Sequence, residues 1–432
     1  MPLLGAAFDI GTTTVVGSLF DLRSGKQLGV ESRLNPQAVH GADVLSRLSF
    51  AADERGLERL RKEIVACLGE MMRGLLKGSG QAQEDLYEVV AVGNQVMTHL
   101  LLGVSPEAIG RTPFTPVLQS PFTASLEDVG LPGCPQGQLY VVSGVAGYVG
   151  ADIVAGIVAS GLCDLRRPQL FMDLGTNGEV VLCHDGRLYA CSAAAGPAFE
   201  GAEIACGMRA TAGAIDHVTI GDEVEISTIG QTEPVGLCGS GLLDAVAELV
   251  GLGVIDAGGR FLTNKDEREA PGVVAGRLSW DEQPCFVLAT GGDGARVVLT
   301  QADVRQLQLA KGAVRAGAQV LMHRARVEVR DLWRVVLAGA FGSFMDKDSA
   351  LEVGLLPGIE RDKVQSVGNV AGAGAGLILL SREARQAALT VARQVEYVEL
   401  SSSAEFQQAF VEAMSFPATG TSGRIGTASE EH

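Results

Sequence analysis

The sequence predicts an α/β protein made of two similar halves, because one short pattern occurs in both. In each half an apolar strand runs into an aspartate, a turn with glycine and threonine follows, and a second apolar strand comes next. Strands and helices then alternate in both halves, which is typical of α/β folds. The two copies of the pattern are Asp9-Ile10-Gly11-Thr12-Thr13 and Asp173-Leu174-Gly175-Thr176-Asn177.

Each turn has the residue types that bind phosphate groups. Glycine lets the backbone approach a polyphosphate closely, and backbone N–H groups and hydroxyls can donate to its oxygens. The candidate phosphate-binding residues are Gly11, Thr12, Thr13, Gly175, Thr176 and Asn177. The alternative is an ordinary hairpin with Asp and Gly as turn formers, but the same string occurring twice favours a site.

The aspartates at the strand ends, Asp9 and Asp173, are candidate catalytic residues and Mg²⁺ ligands. A carboxylate there can hold Mg²⁺ through water or orient an attacking water. The sequence leaves open which of the two acts as the base. Asp152, at the start of a helix, is a third candidate for positioning water, or else a plain helix-terminal carboxylate.

Composition limits the class of protein and its partners. A chain of 432 residues, 47% hydrophobic, suits two or three domains with sizeable cores. The 34 basic and 51 acidic residues give a net charge of −17, which disfavours nucleic acid and anionic membranes as partners. We expect a cytoplasmic protein, since no signal peptide is evident and Asp152 interrupts the apolar stretch 147–162.

The cysteines predict core positions in a reducing compartment. They form no C-x-x-C pair and lie mostly in apolar runs. We therefore expect no iron–sulfur cluster in this chain. The eight positions are Cys67, Cys134, Cys163, Cys183, Cys191, Cys206, Cys238 and Cys285.

The first predicted domain covers residues 1–167. Strands are expected at 3–8, 15–21, 27–34, 88–92 and 139–142, and helices at 43–50, 56–76, 95–102 and 147–161. Asn94 should cap the helix 95–102, with a polar group facing the cleft as the alternative. His99 is expected to be a buried, hydrogen-bonded histidine. Residues 106–135 show little periodicity and predict an irregular surface excursion.

The second predicted domain covers residues 168–416, after the break at Arg166-Arg167-Pro168. Strands are expected at 169–172, 179–183, 188–192, 215–220, 223–229, 333–337 and 395–400. Helices are expected at 242–251, 301–326, 368–380 and 404–414, with Thr300 as a cap. Residues 267–294 should be irregular and exposed, and the tail 417–432 disordered.

Two glycine-rich segments of this half are further candidate binding sites. Gly239 and Ser240 belong to a glycine loop at a helix N-terminus, a common anion site but weak evidence alone. After the strand 333–337, close glycines would let a flat ring lie against the backbone, with a bare strand-to-helix turn as the alternative. This candidate adenosine loop contains Gly339, Ala340, Phe341 and Gly342.

Together these motifs resemble those of the acetate and sugar kinase, heat-shock chaperone and actin (ASKHA) superfamily. The resemblance covers residues 3–415 and implies duplicated RNase-H-like (actin-like ATPase) domains with a nucleotide cleft between them. The turns after Asp9 and Asp173 look like its two phosphate loops, and residues 339–344 like its adenosine loop. Residues 147–161 and 368–380, whose small side chains allow close approach, look like its connecting helices.

Within that superfamily the chain resembles the ATP-dependent reductive activators of corrinoid proteins. The resemblance implies Mg²⁺ and ATP as cofactors and a corrinoid protein as partner, whose cobalt is returned from Co(II) to Co(I) for cobalamin-dependent methyl transfer. The matching strings are Asn35-Pro36-Gln37, Gly41-Ala42-Asp43-Val44, Gly93-Asn94-Gln95-Val96-Met97, Ala195-Gly196-Pro197-Ala198-Phe199-Glu200-Gly201, residues 236–243 and Leu337-Ala338-Gly339-Ala340-Phe341-Gly342.

One departure from that family concerns the electrons. Its members carry an iron–sulfur module, for which this sequence shows no cysteine spacing. Either the chain is the ATPase part of a longer protein, or electrons come from a separate carrier. Two other functions remain open: a small-molecule kinase, and a nucleotide-gated, chaperone-like reactivator without redox change. A homodimer also remains open.

Overall fold

The computed structural model describes residues 2–162, 166–262, 272–274, 276–280, 283–292 and 294–417, without the side chain of Ala340. The predicted disorder of the tail therefore falls mostly on residues 418–432, outside the described part, as does Cys163. No helix in the described part of the chain is long and apolar enough to cross a membrane.

The first half begins with a three-stranded meander and continues with alternating helices and strands. Its strands are β1 (Leu4–Ile10), β2 (Thr14–Asp21), β3 (Gln27–Leu34), β4 (Leu86–Gly93), β5 (Phe122–Ser125) and β6 (Gln138–Val141). Its helices are α1 (Val44–Phe50), α2 (Glu54–Ser79), α3 (Gln95–Leu102), α4 (Leu126–Val129) and α5 (Ala151–Ala159).

The second half starts with the same meander. Its strands are β7 (Gln169–Leu174), β8 (Gly178–His184), β9 (Arg187–Ala193), β10 (Ala214–Ile220), β11 (Val224–Thr228), β12 (Gly236–Leu237), β13 (Leu278–Ser279), β14 (Cys285–Thr290), β15 (Arg296–Thr300), β16 (Arg334–Ala338), β17 (Val364–Ser366) and β18 (Val395–Tyr397). Its helices are α6 (Gly239–Gly251), α7 (Gln301–Ala325), α8 (Gly339–Phe344), α9 (Lys347–Glu352), α10 (Val370–Leu380), α11 (Arg382–Gln394) and α12 (Ala404–Met414).

The two main sheets have matching strand orders. Among the described residues, one has the order β3-β2-β1-β4-β6-β5 and the other β17-β16-β7-β8-β9-β18. In each, three antiparallel strands are followed by two that run parallel to the first strand, β4 and β6 in one half and β16 and β17 in the other. The order of the shared strands confirms that the fold is duplicated.

Local sequence signals set the ends of the long helices. The Asp53 side chain accepts from the Gly56 N–H at the start of α2, and Gly80, with φ of 67°, ends that helix. Thr300 and Asp303 form a capping box at the start of α7, as its sequence predicts. These caps satisfy backbone groups that would otherwise lack partners at the helix ends.

A core shared by both halves surrounds α5 and α10. It contains residues from the first sheet, such as Ala7 and Val90, and from the second, such as Phe171 and Val336. The small residues of α5 and α10 let the helices pack directly together, as expected: a Cβ at Gly374 would lie 2.1 Å from the Ala155 carbonyl oxygen.

The structure corrects three predictions about elements. Residues 106–135 are not merely a surface excursion, since β5 pairs with β6 and α4 buries Leu126 and Val129. Within 267–294, partly outside the described residues, β14 pairs with β15 and buries Phe286. The candidate adenosine loop is a short helix, α8, and not an open loop.

The proposed division at residue 167 remains a prediction. Each main sheet is built from one side of it, but α10, from the second side, packs on β1 and β4 of the first. The cysteines fit their expected role in part: in the described residues five are buried, whereas Cys206 and Cys285 are partly exposed.

Candidate functional site

The first turn, between β1 and β2, is held from behind by polar side chains. The Gly11 N–H donates to the Thr14 carbonyl at 3.0 Å, which closes the turn. Asn35 Nδ2 donates to the Gly11 carbonyl at 2.9 Å, and the buried guanidinium of Arg47 donates to the Thr12 carbonyl. Because Asn35 and Arg47 bind two of its carbonyls, the turn has a fixed conformation.

Asn94 caps α3, as predicted, and also contacts the first turn. Its Oδ1 accepts from the Met97 N–H at 3.0 Å and so caps α3. Its Nδ2 donates to Thr12 Oγ1 at 3.0 Å. The cap of α3 therefore also orients a hydroxyl of the first turn. His99 on the same helix is buried and hydrogen-bonded to the Gln95 carbonyl, as expected.

The second turn, between β7 and β8, lies beside α8. The Gly175 N–H donates to the Asn177 carbonyl at 3.1 Å, which closes a turn one residue tighter than the first. Gly339 has a φ of 80°, and a Cβ there would lie 2.5 Å from Asp173 Oδ1. Only glycine fits this position, because it is in the left-handed region and the carboxylate occupies the space a side chain would need.

A single carboxylate connects the two turns. Glu200 Oε2 accepts from Thr13 Oγ1 at 3.3 Å, and its Oε1 accepts from Thr176 Oγ1. Thr13 belongs to the first half and Thr176 to the second. Glu200 was not a candidate from sequence, although it lies in one of the strings that carry the family resemblance. The two repeated turns thus face each other, as their pattern predicted.

Four further carboxylates gather next to these turns. Burial, with the nearby Asp152, raises the pKa of Asp9 to about 7 and that of Asp173 to about 7. Burial raises the pKa of Asp152 to about 6. Burial, with the charges of Asp152 and Asp173, raises the pKa of Glu179 well above its usual value. Asp152 and Asp173 therefore lie close enough to repel each other and both Asp9 and Glu179.

Two residues of this region were not candidates from sequence: Glu179, which is one of the four carboxylates, and Asn369, which contacts another. Glu179 stands opposite Asp173 in the β7–β8 register, and its signal was one charged residue at the start of an apolar strand. Asn369 caps α10, and its side-chain hydrogen bond lowers the pKa of Asp9. Its signal was the Gly-Asn pair that also precedes α3 as Gly93-Asn94.

The carboxylate cluster suits a cation. No salt bridge in the described part of the chain includes any of the four side chains. Within the described part of the chain, no group of three or more His, Cys, Asp or Glu side chains is arranged to hold a metal ion by itself. Mg²⁺ keeps several waters and uses one or two carboxylates together with substrate phosphates. The donor set therefore fits hydrated Mg²⁺ beside a polyphosphate.

The two glycine-rich candidate segments of the second half, at the starts of α6 and α8, pack against a short 3₁₀ helix, Pro197–Glu200. Gly239 and Ser240 form the buried first turn of α6 rather than a preceding loop, and a Cβ at Gly239 would lie 2.0 Å from the Phe199 carbonyl oxygen. Phe341 of α8 stacks on Phe199 with ring centroids 4.4 Å apart. Both candidate segments thus meet at the segment that carries Glu200.

Two family models match the chain and together cover most of it. Residues 4–164 match the model described as the RACo middle region. Residues 167–424 match the model described as the C-terminal domain of RACo, the ASKHA domain. The chain belongs to the RACo family. The ASKHA domain confirms the predicted fold, and this fold binds nucleotides.

Relatives agree with this assignment to the RACo family. The corrinoid activation enzyme RamQ of Eubacterium limosum is 37% identical over 417 residues, which is 95% of this chain and 70% of RamQ. The [Co(II) methylated amine-specific corrinoid protein] reductase of Methanosarcina barkeri is 27% identical over 65% of this chain, and the match spans about half of the reductase, 52%.

A solved structure also matches this RACo-family chain. It is the reductive activator for corrinoid, iron-sulfur protein, with a TM-score of 0.83 and 38% identity over 97% of this chain and 67% of that one. The similarity therefore extends over both halves of the chain.

Proposed function

We propose that this chain binds Mg-ATP between its two halves and couples ATP hydrolysis to the reductive activation of a corrinoid protein. The observation that carries the proposal is the carboxylate cluster of Asp9, Asp152 and Asp173 beside two facing glycine–threonine turns. The names of the relatives, a corrinoid activation enzyme and a Co(II) corrinoid protein reductase, support the choice of partner.

The turns would bind the phosphate groups from both sides. In this arrangement the backbone and hydroxyls of Gly11, Thr12 and Thr13 donate from the first half. Gly175, Thr176 and Asn177 donate from the second. Asn94 already orients the Thr12 hydroxyl. Donors fixed in advance stabilise developing charge without reorganisation when the reaction occurs.

The carboxylates would hold hydrated Mg²⁺ and position the attacking water. Asp9 and Asp173 are the proposed metal ligands, and Asp152, within electrostatic reach of both, is the proposed water-positioning group. A carboxylate with a pKa near neutrality can accept a proton from water at physiological pH. Bound Mg-ATP would supply a phosphoanhydride bond whose hydrolysis to ADP and phosphate releases free energy.

Activation itself transfers one electron. The corrinoid cobalt would be reduced from Co(II) to Co(I), and a separate carrier or an iron–sulfur module would be oxidised by one electron. This chain would bias the equilibrium, because nucleotide binding and hydrolysis change which complex with the corrinoid protein is stable. The two segments at Gly239–Ser240 and Gly339–Phe344 would bind the adenosine end.

The test is the ATP hydrolysis rate with and without a corrinoid protein held in its Co(II) state, in the cytoplasm-like reducing conditions we propose for this protein. Stimulation by the Co(II) form, and not by the Co(I) form, is the expected result. Hydrolysis without any response to the corrinoid protein would contradict the proposed partner, and phosphate transfer to a small acceptor would indicate a kinase. ATP-dependent binding without any change in cobalt oxidation state would indicate a chaperone-like reactivator.

A further inference from the structure

The Glu200 carboxylate has the same two hydroxyls as partners that the proposed function assigns to phosphate. Thr13 Oγ1 donates to Glu200 Oε2 at 3.3 Å, and Thr176 Oγ1 donates to Glu200 Oε1. The two threonines lie on turns from different halves. A carboxylate placed between two such donors lies where an anion bound by both turns would lie.

The two occupants exclude each other. A threonine hydroxyl has one proton to donate, so it cannot donate to a carboxylate and a phosphate oxygen at once. Two anions at a few ångströms also repel each other, more strongly in a cleft than in bulk water. A phosphate that takes both hydroxyls must therefore displace the Glu200 side chain.

Glu200 is attached to the rest of the candidate site through its neighbours. It ends the short helix Pro197–Glu200, between Gly196 and Gly201, whose φ values are 74° and 75°. Phe199, one residue earlier, stacks on Phe341 of α8 at 4.4 Å, and its carbonyl oxygen lies against Gly239 of α6. Glu200 is thus one residue from Phe199, which contacts both second-half segments assigned to the adenosine end.

We propose that Glu200 occupies the position of the terminal phosphate when the site is empty: it holds the two turns together when no nucleotide is bound, and only a nucleotide long enough to reach Thr13 and Thr176 with a phosphate replaces it. This inference rests on the proposed nucleotide binding. The γ-phosphate of ATP must displace Glu200 to take both hydroxyls, which lowers the affinity for ATP, whereas a nucleotide that does not reach the hydroxyls binds with Glu200 in place.

The test compares nucleotide affinities of the wild-type chain and Glu200→Gln. Gln keeps the size of the side chain and removes the charge that repels phosphate. Dissociation constants for AMP-PNP, a non-hydrolysable ATP analogue, and for AMP are measured by calorimetry with Mg²⁺ present. We expect AMP-PNP to bind Glu200→Gln more tightly, on the order of tenfold, and AMP to bind both proteins equally.

Glu203→Gln is the matched control, because Glu203 carries the same charge on the same segment but is exposed. It should leave both affinities unchanged. Thr176→Val, which removes one hydroxyl, should weaken AMP-PNP binding and leave AMP binding unchanged. Equal or weaker binding of AMP-PNP by Glu200→Gln than by the wild type would overturn the inference, as would equal gains for AMP-PNP and AMP.

Failure of the proposed function gives a different result. If the wild-type chain binds neither nucleotide, both the function and the inference are wrong. If it binds AMP-PNP but Glu200 has no effect, only the inference is wrong. Should Glu200→Gln not fold, a structure of the wild type with AMP-PNP decides: Glu200 still bonded to Thr13 and Thr176 would overturn the inference, and Glu200 displaced would support it.

Discussion

Asp173 and Glu179 face each other on neighbouring antiparallel strands, whereas the corresponding pair in the first half is Asp9 and Val16. Like charges directly opposite each other destabilise a sheet. The second half therefore contributes Asp173 and Glu179 to the cluster, and the first half contributes Asp9 and, from α5, Asp152. Four carboxylates so close together are unfavourable without a cation, which fits a site that gains stability when Mg²⁺ and nucleotide bind.

The first prediction concerns the two strand-end aspartates. Asp9→Ala and Asp173→Ala should each abolish ATP hydrolysis, a loss of at least about 10²-fold, because the proposed metal ligands are removed. The measurement is phosphate release in steady state, with circular dichroism to show that both variants fold. Asp222→Asn, which removes a carboxylate from an exposed hairpin turn far from the proposed ligands in sequence, is the control. Wild-type turnover in both alanine variants would show that these residues are not the site.

The second prediction concerns pH. The folded-state pKa of Asp9 is raised to about 7, against an unfolded value of about 4. The folded state therefore holds a proton that the unfolded state releases, so stability from this group is present below pH 4 and is lost as pH rises through 7. Asp9→Asn removes this loss. Without nucleotide, the variant should match the wild type near pH 4 and exceed its stability by on the order of 1–2 kcal/mol at pH 8.

Urea unfolding of both proteins at several pH values would measure this difference. Asp222→Asn again serves as the control, and its stability relative to the wild type should not change between pH 6 and 8. A stability difference between Asp9→Asn and the wild type that stays constant, or shrinks as pH rises, would contradict the raised pKa.

For single residues, the sequence predicts site residues that belong to the repeated strings. It does not predict those that reach the site from other parts of the chain. Asp9 and Asp173 could be predicted because each ends a strand inside a repeated string. Glu179 could not, since its counterpart in the repeat is Val16. Glu200 was concealed because its two partners are Thr13 and Thr176, and the contact with Thr13 joins positions 187 residues apart in the chain.

Among the elements, the packing of α5 on α10 depends on the absence of side chains. Gly156 lies against Phe171 of β7, where a Cβ would be 2.9 Å from the ring, and Gly374 lies against the carbonyl of Ala155. Backbone atoms cannot yield as a flexible side chain can. The sequence predicted this close approach from its runs of Gly and Ala, because small residues are a local property.

The third prediction follows from that packing. Gly374→Val should destabilise the protein by about 1–3 kcal/mol, because its Cβ would overlap the Ala155 carbonyl oxygen and push the helices apart. Gly78→Ala, also in a helix but with no atom within 4 Å of the added Cβ, should be neutral or stabilising by up to about 1 kcal/mol. Equal stabilities of the two variants in urea unfolding would show that the crossing tolerates side chains.

Elements whose signal is not local were missed. β5 is only four residues long, Phe122-Thr123-Ala124-Ser125, and becomes a strand because it pairs with β6. α8 is formed by the glycine-rich sequence that predicted a loop, since the chain turns into a helix immediately after β16. In both cases tertiary packing decides the local conformation, and intrinsic propensity does not.

Across the whole molecule, the halves are joined by more than the chain connection. The shared core around α5 and α10 includes side chains from both main sheets. Arg385 of α11 adds a polar link, since its guanidinium donates to Glu88 of β4 and lies 4.4 Å from the centre of the Tyr140 ring. A nucleotide bound between the halves would therefore act on one connected body.

The fourth prediction is that the halves unfold together. Calorimetry should show one main transition, because neither half can lose the shared core without exposing apolar surface of the other. Mg-AMP-PNP at about 100 times its dissociation constant should stabilise the protein by about 2.7 kcal/mol and move that whole transition upward. AMP-PNP without Mg²⁺ is the control and should give a smaller shift. Two separate transitions, with nucleotide moving only one, would contradict the shared core.

The position of α10 in the chain has a consequence for how the protein is made. α10 covers β1 and β4, yet it is translated about 230 residues after β6 ends, which takes roughly 10–50 s on the ribosome. During that interval the first sheet lacks one of its covering helices and leaves apolar side chains open to water. We expect the newly made first half to be a substrate for ribosome-associated chaperones until residues 370–380 emerge. The core of the first sheet is therefore complete only when the last third of the polypeptide has been made.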